Sequence, residues 1–334
     1  MRNRKYLWIL LVLIIGLIAI GCYKEIPVKI PIAIELHYMY QPTIIINNPL
    51  PQPSPTLPIS TITPVPLLAK TSGISWPKED AYPRANDLVQ INARVSLNWN
   101  YSVSKTQVLQ AVGITYLPMQ WSCNVNVANI KTFASQFPGM TWLAFNEPDN
   151  ASQANCTPKQ AAQAYLSLRQ AIMDVDPSAR IFCCGTAFYP AHVDFMAQWA
   201  QIYRDLYGNW PTIDGIHLHS YGHFEDRLDA PRRKYELEQV HTWAQQQSWA
   251  ANKPFIISEW AVTTASWWGD QDRGPIANYY IPTMRAWFNQ QAWIIADIWF
   301  SSWYSDGYYE PDNVWQQNSS TLTSTGIAWR TATP

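Results

Sequence analysis

The chain has 334 residues, a formal net charge of −1 and only 14% charged side chains. With no Lys- or Arg-rich block beyond the first five residues, this charge excludes a nucleic-acid partner, because phosphate binding needs a concentrated positive surface. The length accommodates one large domain of about 250 residues plus additional segments.

The N-terminus reads as an address. Arg2, Arg4 and Lys5 precede an apolar run from Tyr6 to Ile20 and then Gly21-Cys22, the layout of a secretory signal. Ile18 to Cys22 resembles a bacterial lipoprotein signal, in which Cys22 would be lipidated; the competing reading is an uncleaved membrane anchor, for which the run is at the short end. Both readings export the remainder and limit membrane contact to an N-terminal lipid or helix, leaving the protein at the cell surface or otherwise extracellular. Residues 23–69 are expected to form an extended linker. Eight prolines between Pro42 and Leu67, with no glycine and no helical period, favour a semi-rigid polyproline-like spacer.

From residue 73 short apolar runs alternate with longer helical patterns, the signature of repeated βα units. Eight strands are predicted, at 73–76, 92–99, 114–121, 141–147, 179–186, 214–221, 254–260 and 294–301. The expected fold is therefore α/β, a (β/α)8 TIM barrel over residues 70–334, preceded by the signal or anchor segment and the Pro-rich linker. Thr157-Pro158-Lys159-Gln160 predicts a capping box with proline at the first helical position. Ser104 to Gln107 predicts another, ended by Gly113.

Four cysteines follow Cys22 in a compartment where disulfides persist. Cys123 and Cys156 each lie just beyond a predicted strand end on one face of the barrel, so a bridge between two loops is a candidate. Cys183 and Cys184 are strand neighbours pointing to opposite faces and read as buried small hydrophobes.

Two acids end strand-like runs: Glu147 in the fourth strand and Glu259 in the seventh. Breaking an acetal needs one carboxyl to protonate the leaving oxygen and a second to meet the oxocarbenium-like carbon from the other face, and no cofactor is implied. In a barrel the C-terminal strand ends converge, so these carboxyls would face one another. His217, His219 and Tyr221 recur at period two and share a face of strand six. No third ligand group with supporting spacing accompanies the histidines, so no metal is expected. His219 either joins a hydrogen-bond network at the mouth or is a satisfied core histidine.

On Leu97-Asn98-Trp99, Leu117 to Trp121, Leu143 to Asp149, His217 to Tyr221 and Ile257 to Trp260, residues 72–330 resemble the clan A retaining glycoside hydrolases, most closely family 128, whose members are largely endo-β-1,3-glucanases. That resemblance implies Glu147 as acid/base, Glu259 as nucleophile, Asn146 bonding the sugar 2-hydroxyl, Tyr221 orienting Glu259, and Trp299 under the reacting sugar. Asn98, Trp99, Trp121, Trp260 and Trp303 are further substrate-binding candidates, and Tyr304 could extend that floor.

Trp and Tyr number 18 each, and flat rings with polar edges suit the apolar faces of sugars. Core packing is the competing reading for each of them. Trp267-Trp268 and the loop 305–318 are additional candidate binding segments. The expected partner is a polysaccharide or oligosaccharide bound by a monomer. Two alternatives stay open: a non-catalytic glycan-binding lipoprotein on a hydrolase fold, and a transglycosylase using the same covalent intermediate.

Overall fold

Apolar runs bounded by turns form nine parallel strands in the computed structural model, which describes residues 70–76, 84–223, 229–263, 274–304 and 312–332. They are β1 (Thr71–Ile74), β2 (Val95–Ser96), β3 (Thr115–Tyr116), β4 (Met119–Gln120), β5 (Thr141–Ala144), β6 (Arg180–Thr186), β7 (Gly215–His223), β8 (Phe255–Thr263) and β9 (Ile294–Trp299). The sheet order is β3-β2-β1-β9-β8-β7-β6-β5-β4.

The strand predicted over 114–121 is two pieces, and Pro118 is the reason. Without an N–H it cannot donate to a ladder, so the chain changes partners there. Leu117 N bonds to Ser96 O on the β2 side at 2.9 Å, and Pro118 O accepts from Leu143 N on the β5 side at 2.9 Å. The two edges of the sheet are thus separated by only Leu117 and Pro118, which curls it into a barrel-like α/β ring. Strand two is similarly shorter than predicted, ordered as a ladder only at Val95 and Ser96.

The helices are α1 (Ala85–Gln90), α2 (Val103–Ala111), α3 (Val127–Gln136), α4 (Pro158–Met173), α5 (Ala191–Tyr207), α6 (Ala230–Gln245), α7 (Ile281–Gln290), which follows one π-helical turn, and α8 (Ser324–Thr331). At α4 the capping box is formed: Thr157 Oγ1 accepts from Gln160 N at 3.2 Å while Gln160 Oε1 accepts from Thr157 N at 2.9 Å. At α2 the cap is Ser102, not Ser104. Ser102 has the extended backbone a cap requires and accepts from Lys105 N, while Ser104 already lies in the first turn.

Alternation along the strands divides the core in two. Val95, Leu97, Leu117, Met119, Leu143, Phe182, Ile256, Ile295, Ala296 and Ile298 pack together as one apolar cluster, joined through in-register pairs such as Leu143 with Phe182 and Ile256 with Ala296. This cluster fills the ring. Gly215 makes room for it, since a Cβ there would meet the Phe182 ring at 1.9 Å. The opposite strand faces bury a larger cluster against the helices, including Trp142, Trp199, Trp260, Trp299 and Trp329.

Cys123 and Cys156 are disulfide-bonded with Cα atoms 6.2 Å apart, linking the loops after β4 and β5. Cys183 and Cys184 are also bonded to each other, which overturns the expectation of two independent buried side chains. The alternation argument assumes a trans peptide; the bond between them is cis and their Cα atoms are 3.0 Å apart. No helix among the described residues is long and apolar enough to cross a membrane. The signal-like segment with Cys22, the linker, Trp267-Trp268 and residues 305–311 of the candidate binding loop lie outside the described residues.

Candidate active site

The end of β5 is held from both sides. Phe145 N bonds to Gln120 O at 2.8 Å, Asn146 N to Trp121 O at 2.8 Å, and Glu147 N to Gly185 O at 2.7 Å. Phe145 and Glu147 both take left-handed backbone angles, with φ of 70° and 45°. Such conformations cost on the order of 1–3 kcal/mol for a non-glycine residue and persist only where surroundings over-determine them. Here the neighbouring strands supply that determination, and the result turns Glu147 into the ring's mouth. Asp149 fixes the following loop by accepting from Ala187 N at 3.0 Å.

Glu259 lies on β8 beside His219 of β7, its in-register partner just past a bulge in the pairing. Both acids are buried, at 7% and 4% exposure. One oxygen of each and one nitrogen of His219 lie within 4.8 Å of one another. His219 Nδ1 is 2.8 Å from Glu147 Oε1, and its Nε2 is 3.3 Å from Glu259 Oε1. Asn150 Nδ2 donates to Glu147 Oε2 at 2.6 Å. Tyr221 OH donates to Glu259 Oε2, and Trp99 Nε1 donates to Glu259 Oε1 at 2.5 Å. Below them His217 bonds to Ala144 O and Ser258 Oγ at 2.9 and 3.0 Å.

These contacts set the charges of the site. Burial pushes Glu147 up, but the hydrogen bond and charge of His219, with the Asn150 amide, outweigh it and hold the carboxyl below the usual glutamate range. Burial also pushes Glu259 up, opposed by His219, Trp99 and Tyr221 and reinforced by the Glu147 charge; its net direction is upward. Burial lowers His219, yet the two carboxylates raise it overall. His217 has no carboxylate partner, and burial drives it down to about 3, so it is neutral.

Among the described residues, His219 and the two glutamates could each offer one ligand atom to a metal ion. They do not fit a metal centre. The 2.8 Å between His219 Nδ1 and Glu147 is a hydrogen bond, shorter than the separation of two ligands each about 2.0–2.2 Å from one tetrahedral ion. Glu259 is already held by Trp99 and Tyr221. Proton sharing accounts for the geometry.

The acids open onto a groove of about 410 Å³. Loops after β4, β5 and β6 line it with Trp121, Asn150, Gln153 and Phe188; Tyr221, Phe300, Tyr304 and Trp99 line it from β7, the end of β9 and the loop after β2. Asn146 also lines it, its Nδ2 donating to Gln153 Oε1 at 3.3 Å while its buried Oδ1 has no hydrogen-bond partner. Trp121, Phe188 and Tyr304 keep 38%, 41% and 39% of their surface exposed.

Four sequence candidates are placed away from the groove wall. Trp260 is fully buried, packed edge-on against Trp299 at 4.6 Å and bonded to Asp297 at 3.1 Å. Trp299 is equally buried and donates to Asp312 O. The reason is the period of two: Glu259 faces in, so Trp260 faces the helices, and Ile298 faces in, so Trp299 faces out. Phe300 occupies the groove position expected for Trp299, a substitution the same alternation would have predicted. Asn98 accepts from the Tyr116 hydroxyl and shapes the loop that carries Trp99. Trp303 is half-buried beside the groove-lining Tyr304. Asn150, Gln153, Phe188 and Phe300 were not singled out from sequence; the amides follow the acid within one turn-rich loop, where binding groups concentrate.

Two buried carboxylates facing one another over an open groove at the strand ends of a barrel-like parallel sheet define a glycoside hydrolase. Residues 73–329 match the family model described as glycosyl hydrolase catalytic core, and the chain belongs to that family. No curated protein matches the chain. Among solved structures it is similar to a family 128 subgroup I endo-β-1,3-glucanase from Amycolatopsis mediterranei in complex with laminaripentaose, at 21% identity and TM-score 0.62, covering 79% of this chain and 100% of that one. A subgroup II endo-β-1,3-glucanase from Pseudomonas viridiflava aligns at 18% identity and TM-score 0.60 over 79% and 98%. A subgroup III curdlan-specific exo-β-1,3-glucanase from Blastomyces gilchristii aligns at 20% and 0.57 over 78% and 97%.

Proposed function

We propose that this chain is a retaining β-glycosidase on a (β/α)8 barrel that cuts β-1,3-glucan internally, with Glu147 as acid/base and Glu259 as nucleophile. The observation that carries the reading is the approach of the two carboxylates to within 4.8 Å. Double displacement uses carboxyl groups about 5–5.5 Å apart, whereas inversion needs about 6.5–9.5 Å to admit a water between them and the sugar. The β-1,3-glucan assignment is supported by the substrates named for the similar structures.

In the first step Glu259 attacks the anomeric carbon while Glu147 gives its proton to the departing oxygen. In the second, Glu147 takes a proton from water, which adds to the anomeric carbon and returns Glu259 as a carboxylate. The resting charges run the other way, with Glu147 the more acidic of the two. The 2.8 Å bond from His219 to Glu147 offers the route between these states: moving the His219 proton to Glu147 leaves the total charge unchanged and produces the acid the first step requires. Asn146 then meets the sugar 2-hydroxyl with its unpartnered Oδ1. The N-terminal pattern supports export and tethering through Cys22.

The test is reducing-end release by the full chain on laminarin, curdlan, mannan, xylan and mixed-linkage glucan, with Glu147→Gln and Glu259→Gln as blanks. Release from laminarin or curdlan that both variants abolish, with the β-anomer formed first by NMR, is the expected result. Activity surviving in Glu259→Gln, or the α-anomer formed first, refutes the mechanism.

A further inference from the structure

We infer that Trp99 acts as a positioning residue for the nucleophile, its indole N–H holding Glu259 Oε1, rather than as a sugar-stacking platform. The inference rests on the assignment of Glu259 as nucleophile. Three observations carry it. Trp99 sits in the left-handed backbone region at φ 59°, a conformation retained where a side chain must be aimed. Its Nε1 lies 2.5 Å from the carboxylate oxygen. Its ring is braced edge-on against Phe300 at 5.6 Å, which limits swinging.

The chemistry of that donor matters. Indole N–H donates, cannot accept and does not titrate. Glu259 is faced by His219 and Tyr221 from β7 and by Glu147 from beyond β5. Its ion pair among the described residues is with His219 Nε2 at 3.3 Å, and the charge of that imidazole depends on the separate proton that its Nδ1 shares with Glu147. Trp99 on Oε1 and Tyr221 on Oε2 therefore supply neutral donors from opposite sides of the ring that stay in place whichever way the His219 proton moves. When the glycosyl ester forms, negative charge leaves Glu259 and the indole bond weakens. When water displaces the sugar, charge returns and the bond is restored, so Trp99 assists the departure of the carboxylate in the second step.

Trp99→Phe keeps a ring in the groove and removes the N–H. We expect kcat on laminarin-derived oligosaccharides to fall by about 10- to 100-fold, the value of a hydrogen bond to a charged group, with KM falling alongside it because the slowed second step lets the glycosyl-enzyme accumulate. The acidic limb of kcat/KM should move to higher pH, because the ionised form of Glu259 has lost a donor. Unchanged kcat and acidic limb in a folded Trp99→Phe, with KM raised only in Trp99→Ala, would assign stacking and overturn the inference. If Trp99→Phe does not fold, the wild-type chain provides the readout: trapping Glu259 with a 2-deoxy-2-fluoro glycoside should shift the Trp99 indole N–H resonance, and an unmoved resonance overturns the inference equally. Activity surviving in Glu259→Gln identifies a failure of the underlying mechanism instead.

Discussion

Gly185 links the backbone of the fold to the position of the acid, and Gly185→Ala should damage both. Its φ of +61° is left-handed, and a Cβ there would lie 2.3 Å from Phe145 O and 2.6 Å from His217 Cε1. The conformational term for alanine is about 1–2 kcal/mol, and forcing a methyl into packed surroundings adds about 1–3. Together these lower stability by roughly 2–5 kcal/mol, a fall in Tm of about 5–15 °C for a domain of this size. The atoms that must yield include the carbonyl two residues before Glu147, while the Gly185 carbonyl itself accepts the Glu147 N–H. A displacement near 1 Å costs about 100-fold in rate. Gly208→Ala is the control: φ is +78°, but its Cβ would meet nothing within 4 Å, so only the conformational term applies and activity is retained. Calorimetry and kcat/KM on laminarin measured for both variants decide the matter. Equal Tm and equal activity in the two would refute the steric argument and the coupling of Gly185 to the acid.

Other expectations follow from the charge network and the aromatics. Asn150→Ala removes a donor to ionised Glu147, so the alkaline limb of kcat/KM, which requires protonated Glu147, should move to higher pH by up to about one unit. His192 and His217 are buried and neutral, both driven down to about 3 from 6.5 by burial. The unfolded chain binds protons at these sites that the folded chain does not, so stability is full above pH 6.5 and falls as pH drops toward 3; at pH 5.5 the pair removes about 2–3 kcal/mol, measurable by urea unfolding against pH. Trp121→Ala should raise KM several-fold with little change in Tm, because Trp121 lines the groove and is exposed. Trp260→Ala should instead destabilise by about 3–5 kcal/mol, since Trp260 is fully buried; the reverse pattern would restore Trp260 as a sugar platform.

The acids were legible because an apolar run that stops at a carboxylate combines two separate signals, strand period and strand-end chemistry. The alternation of βα units was legible for the same reason: it repeats over the whole chain from residue 73. What failed was finer. Trp260 and Trp299 were placed by proximity to a strand end, although side chains alternate, and Phe300 rather than Trp299 faces the groove. Trp99 was visible as an aromatic at the mouth, but its partner is 160 residues away, and no local pattern reports a contact of that kind. The Cys183–Cys184 bond escaped an argument that assumed trans geometry. Pro118 carried the signal for a broken strand three, and reading it as an interruption would have located the closure of the sheet.

That closure has a consequence for how the groove can move. The wall between β2 and β5 is built from two ladders of two residues each, in β3 and β4, whereas Glu259 rides on a nine-residue strand paired along most of its length with β7. Breathing is therefore expected to concentrate at the seam between β3 and β4, while the Cys123–Cys156 bridge ties β4's loop to that of its neighbour β5 on one side of it. A glycoside hydrolase built this way keeps its short ladders away from the strand that carries Glu259.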